Sequence, residues 1–197
     1  MVKSLILVEG NDDIKFINLL LKYLELNRQH IVIKQLSNKS NFFKLKTYSD
    51  NNILASLENE EYDRTLFVLD SDFEDDNKKY GGFENSEREI KKTIEDIKKE
   101  LGFDFYTDYY IMCDPNSKDG NLEHLIISTL SATKQHCVNE LLECIKPHKN
   151  SGNKKIVLSS YKTIFDEPDY NFSHSNYQIL ISKLILLENR SGLRENI

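Results

Sequence analysis

The chain has 197 residues, 39% hydrophobic and 10% aromatic, a size and composition that suit one globular domain with a small appendage. Its 32 acidic residues against 26 Lys and Arg give a net charge of −6. That balance excludes indiscriminate coating of nucleic acid but leaves room for a local basic track.

The segment Leu5 to Val8 is a continuous apolar run, which predicts a strand buried on both faces. Asn11 suits the cap of a helix on which Ile14, Ile17, Leu20, Leu21 and Leu24 recur at helical spacing. A second short strand is expected over His30 to Lys34, then a helix from about Asn51 to Asn59. Leu66 to Leu69 is the third strand, again apolar throughout. The sequence SERE at 86–89 matches a capping box and predicts the start of a helix. That helix carries Ile90, Ile94, Ile97 and Leu101 on one face, and Gly102 ends it. A fourth strand covers 108–113 and stops at Asp114-Pro115. Beyond about residue 120 the pattern is helical, with breaks near Ser151-Gly152 and Pro168. Strands alternating with helices imply an α/β fold with a mainly parallel four-stranded sheet flanked by helices. The expected division is an α/β domain over 1–125 and a helical extension over 126–197.

The cysteines Cys113, Cys137 and Cys144 form no CxxC pair and no zinc pattern, so they read as reduced thiols. Only four consecutive apolar residues precede Glu9, too few for a signal peptide, and Lys183 interrupts the longest apolar run, 179–187. A cytoplasmic protein with no membrane partner is expected.

Two strands end in acid: LILVEGNDD at 5–13 and LFVLDSDFEDD at 66–76. In parallel α/β sheets ligands bind outside the carboxyl ends of the strands, so these carboxylates converge on one edge. Converging carboxylates repel, and either protonation or a shared divalent cation relieves them. Glu9, Asp13, Asp70 and Asp72 are hard oxygen ligands that suit Mg2+, which takes a few carboxylates plus water and phosphate. In DxD, alternation along an extended chain would aim both carboxylates the same way. A plainer reading stands beside this one. Asp12 and Asp13 also complement a helix macrodipole, and Glu74, Asp75 and Asp76 read as a solvated loop. A receiver domain would need a Ser/Thr and a Lys after later strands, and a haloacid-dehalogenase-type phosphatase places its DxD after the first strand rather than the third.

Glu9-Gly10 after the first strand, with Asp70 and Asp72 after the third, resembles the TOPRIM domain of topoisomerases, bacterial primases, the M5 maturase and OLD-family nucleases. The resemblance covers about residues 3 to 125. It is closest in motif to the OLD nucleases, whose ExxxD is matched by Glu9 and Asp13 and whose further acidic ligand is matched by Glu123 in DGNLEHLI. Glu123 also suits a helical first turn. The resemblance implies a TOPRIM/Rossmann-like fold and a nuclease using Mg2+ or Mn2+. Glu9, Asp70 and Asp72 would be catalytic, Asp13 and Glu123 would complete the metal site, and Gly10 would allow a close backbone approach. No GxxxxGK[ST] loop is present, so any ATPase would be a separate partner. The other reading is a non-catalytic TOPRIM-like module that binds nucleic acid or a partner.

Between Leu26 and Ser49 there is no acid, while Arg28, Lys34, Lys39, Lys44 and Lys46 are interleaved with Phe42, Phe43 and Tyr48. Such interleaving suits a phosphate backbone with stacked bases, while the plainer reading is a core Phe pair with solubilising lysines. A second basic stretch lies at 146–155. Lys39, Lys44 and Lys118 are the candidate substrate contacts. The segment 177–188 is apolar nearly all round, which predicts a helix covered on more than one side, by the domain and earlier helices or by a second copy in a homodimer.

Overall fold

The computed structural model describes residues 2–145 and 170–188. Four strands form one all-parallel sheet: β1 (Lys3–Val8), β2 (Ile31–Gln35), β3 (Tyr62–Asp70) and β4 (Tyr106–Met112), in the order β2-β1-β3-β4. Parallel neighbours need crossovers, and helices supply them. Helix α1 (Asn11–Tyr23) joins β1 to β2. The short helices α2 (Lys39–Phe42), α3 (Leu45–Asp50) and α4 (Ile53–Glu58) join β2 to β3, and α5 (Phe83–Leu101) joins β3 to β4. After β4 come α6 (Leu122–Ile127), α7 (Ala132–Ile145) and α8 (Gln178–Glu188).

Alternation along the strands sorts the apolar residues onto two cores. Ile6, Val8, Leu66, Val68 and Met112 face α1, α6, α7 and α8, where Phe16, Leu125, Val138, Tyr177 and Leu184 are buried. Leu5, Leu7, Phe67, Leu69 and Ile111 face the opposite layer, with Phe42, Tyr48, Ile53, Ile90 and Ile97. Both faces of the sheet are covered, as the continuous apolar runs require.

Helix α8 buries Leu180, Ile181, Leu184 and Leu187 in the first of these cores. Its last turn is docked as well: Ser4 Oγ donates to the Leu187 carbonyl at 2.8 Å and Arg64 to that of Leu186 at 2.5 Å. These donors satisfy C-terminal carbonyls that have no partner within the helix. Lys183, the polar break in the run, pairs with Asp108 at 2.6 Å. The other face is open: Ile179 is 65% exposed and Leu186 47%. Among the described residues no helix is long and apolar enough to cross a membrane.

Several local expectations need correction. Gly10, not Asn11, occupies the cap position of α1. Helix α5 starts at Phe83, three residues before SERE, and Ser86 Oγ donates to the Gly82 carbonyl at 2.7 Å rather than capping anything. The segment 39–50 is helical, and it carries Phe42 and Tyr48 fully into the core. Those two rings therefore pack the domain and are not stacking platforms. The expected boundary at 125/126 falls inside α6. The basic stretch 146–155, the break at Ser151-Gly152 and the break at Pro168 lie outside the described residues.

Candidate metal and phosphodiester site

The strand order fixes where a ligand crevice belongs. From β1 the chain runs outward to β2 on one side, then returns to β3 and β4 on the other. The topological switch point is thus between the carboxyl ends of β1 and β3. Glu9 is the first residue past β1, and Asp70 is the last residue of β3.

Backbone amides hold the two acids in place. Glu9 Oε1 accepts from the Asp70 N–H at 2.9 Å, which ties the two strand ends together. Asp70 Oδ1 accepts from the Leu122 N–H at 3.0 Å, bringing the start of α6 over the crevice. Asp13, in the first turn of α1, folds back so that its Oδ2 accepts from the Gly10 N–H at 2.8 Å. Glu9 and Asp70 each place one oxygen on a peptide N–H of another element, and Asp13 places one on the cap of its own helix.

Burial and mutual repulsion shift these groups together. Desolvation above all raises Glu9 to about 8, with Asp72 and Asp13 adding repulsion, against the Asp70 amide and the Lys39 charge. Asp13 is raised to about 6, mainly by burial and then by the charges of Glu123 and Asp12. Asp70 is raised well above the usual carboxylate range by burial, then by Glu9, Asp13, Asp72 and Glu123. Five acids from β1, α1, the end of β3 and α6 therefore share one field, and protonation relieves it in the metal-free protein. As they stand, no three His, Cys, Asp or Glu side chains among the described residues are grouped closely enough to hold an ion.

Asp72 does not extend the strand alternation. Its φ is +57°, in the left-handed region, and it bridges Gly120 through Asp72 N–H to Gly120 O at 2.5 Å and Gly120 N–H to Asp72 O at 3.2 Å. Short polar residues such as Asp adopt this conformation more readily than branched ones. The bridge lashes the loop after β3 to the loop after β4. Gly120, with φ +93°, is required there: a Cβ would lie 2.4 Å from the His124 ring.

Lys39 reaches the site from α2 and is itself buried. Its Nζ lies 2.5 Å from the Ser71 carbonyl and 3.4 Å from Asp72 Oδ2, and burial lowers its pKa against the pull of the acids. It acts as an internal counter-charge, a role its place in a basic stretch does not reveal. Lys44 is exposed beside Ser40 and Asn41, apart from the acids. The Lys118 carbonyl accepts from Ser71 Oγ at 2.9 Å, while its ammonium lies 5.2 Å from the centre of the Phe83 ring. Glu74, Asp75 and Asp76 are exposed, and Asp12 pairs with Lys15 at 2.8 Å. Glu9 is half-buried rather than exposed at the sheet edge. Sequence reasoning missed Ser71, whose buried carbonyl also receives the Gly82 N–H at 3.0 Å, and His124, which packs edge-on to Phe73. The glycine in KDGN is the one sequence signal that could have pointed to the close approach at His124.

The family described as "Protein of unknown function (DUF3226)" matches residues 3–182. The chain belongs to that family. No curated protein and no solved structure matches it. The DUF3226 match spans all four strands and both acid motifs, so the sheet and the acid crevice lie within the family's common extent.

Proposed function

We propose that this DUF3226 chain is a TOPRIM-type, divalent-metal-dependent phosphodiesterase acting on nucleic acid. The observation that carries this reading is that Glu9, Asp13, Asp70, Asp72 and Glu123 bear on one another's charge near the switch point of a parallel sheet, three of them raised by burial and repulsion, while as they stand no three are grouped closely enough to hold an ion. A hard oxygen donor set of this kind fits Mg2+ or Mn2+. Glu9, Asp70 and Asp72 would hold the ion, with Asp13 and Glu123 alongside, after the carboxylates draw closer around it. When bound, such an ion polarises a phosphodiester and lowers the pKa of an attacking water. The chain's own part is to fix the carboxylates on peptide N–H groups and to let the Glu9 carboxyl exchange a proton. Lys39, already beside Asp72, supplies positive charge for a phosphate oxygen.

Lys39 also favours a second reading. A built-in cation that offsets the acids suits a module that binds nucleic acid or a partner without turnover. Incubating labelled single- and double-stranded DNA and RNA with the protein and Mg2+ or Mn2+ separates the two. Metal-dependent cleavage that Glu9→Gln abolishes supports the enzyme, and intact substrate under all conditions refutes it.

A further inference from the structure

A cavity of about 460 Å³ lies along the outer side of β4, between the start of α5 and the start of α8. Its size is within the ~300–1,000 Å³ of small-ligand sites. Phe83, Tyr109 and Ile179 supply flat and apolar walls, Lys118 supplies positive charge, Lys183 is paired with Asp108 of the same wall at 2.6 Å, and Asn176 supplies an amide. β4 is the terminal strand of the sheet, so its outer backbone groups have no strand partner among the described residues. The cavity therefore combines aromatic faces, edge hydrogen-bonding groups and cations.

Its position links it to the acid crevice. The loop 114–120 is common to both: Lys118 lines the cavity, and its carbonyl is bonded to Ser71, between Asp70 and Asp72. A second hollow of about 280 Å³ shares Phe83 and Lys118 and reaches Glu74, two residues past Asp72. The Lys118–Phe83 contact stands between the two hollows.

We infer that this cavity takes an unpaired base of a single-stranded nucleic acid whose neighbouring phosphate lies at the acid crevice. The inference rests on the phosphodiester reading of that crevice for the path of the strand. Base–aromatic stacking tolerates any sequence, and flanking lysines track the backbone. A duplex, with its bases stacked inside, cannot present one to a recessed hollow.

The test is fluorescence titration of the full chain, in EDTA, with an eight-nucleotide oligothymidine carrying a central 2-aminopurine, and with the same strand in a duplex. Stacking quenches 2-aminopurine, so wild-type protein should quench the single strand and bind the duplex more weakly. Phe83→Ala should raise Kd at least about fivefold, in line with the loss of one base–aromatic contact. Ile179→Trp, at an exposed position, should fill the hollow and weaken binding similarly without touching the core. Thermal melting confirms that both variants fold. Absence of binding, equal affinity for the duplex, or unchanged affinity in both folded variants overturns the inference. Quenching that depends on Phe83 and Ile179, in a protein that cleaves nothing with Mg2+ or Mn2+, upholds the cavity and refutes the hydrolytic reading alone.

Discussion

Glu9→Gln removes a charge from the acid crevice while keeping its shape, because the amide oxygen still accepts the Asp70 N–H that Glu9 Oε1 accepts at 2.9 Å. The Glu9 carboxyl has a folded pKa of about 8 against its ordinary 4.5, so the native state holds its proton longer than the unfolded chain. Its contribution to stability is complete below pH 4.5 and is lost as pH rises through about 8. Each unit of that interval costs ~1.4 kcal/mol, so the accumulated loss reaches on the order of 4–5 kcal/mol above it. The new amide N–H₂ has to find an acceptor in the same space, which gives back roughly 1 kcal/mol. Urea unfolding should therefore show the two proteins differing little at pH 4.5, with Glu9→Gln more stable by about 3 kcal/mol at pH 9. Saturating Mn2+ should raise wild-type stability at pH 8 and leave the variant nearly unmoved, because a cation on the crevice substitutes for the lost protons. Parallel pH profiles for the two proteins, or a wild type that is the more stable at pH 9, would refute the burial argument.

Asp72→Ala is expected to abolish Mn2+ binding in calorimetric titration with the fold intact; wild-type affinity there and in Asp70→Asn would remove the site. Gly120→Ala should lower stability by roughly 1–3 kcal/mol, because it meets the His124 ring at 2.4 Å and strains a φ of +93°; an unchanged melting temperature contradicts the close approach. Deleting residues 174–197 exposes the bed of Leu180, Ile181, Leu184 and Leu187, side chains worth roughly 1.5–3 kcal/mol each, so the product should be unfolded or insoluble. A soluble truncation that melts cooperatively would refute that role. A homodimer covering Ile185 and Leu186 should double the mass in light scattering, and a concentration-independent monomer excludes it.

The sheet was legible because each strand contains a short apolar run bounded by acid, glycine or proline, although β3 begins at Tyr62, four residues before its run, β4 begins at Tyr106, and β2 begins one residue after His30. The acids were legible for the same reason: Glu9 and Asp70 interrupt runs whose burial leaves no other place for them than the strand ends. Strand order was not legible, since nothing local distinguishes β2-β1-β3-β4 from a simple progression. It is the order that makes β1 and β3 flank the crevice. In the stretch 26–49 the lysines and aromatics share a sequence but not a surface, and of its two readings the core one fits Phe42. Phe42 and Tyr48 point into the core, where the Tyr48 hydroxyl donates to the Phe42 carbonyl at 2.6 Å, and Lys39 points at the acids. SERE misled because a capping pattern also occurs one turn inside a helix, where the serine bonds back to the carbonyl four residues before it.

The crevice is also the junction of the fold, and that constrains how it can change. Glu9 bonds the end of β3, Asp70 bonds the start of α6, Asp13 bonds the cap of α1, and Asp72 clamps the loop after β4. The carboxylates of Glu9, Asp13 and Asp70 each satisfy a peptide N–H, and leaving such a group buried without a partner costs about 1–3 kcal/mol, while Asp72 acts through its backbone. The same acids impose a repulsive and desolvation cost that grows as they ionise. Removing charge while keeping the acceptor, as Asn or Gln does, should therefore stabilise the metal-free protein, whereas Ala at Asp70 trades relief of repulsion for an orphaned Leu122 N–H. The order of stability at pH 8 should be Asp70→Asn above Asp70→Ala in the absence of metal. If Asp70→Ala equals or exceeds Asp70→Asn, the amide bonds are incidental and repulsion alone governs the crevice.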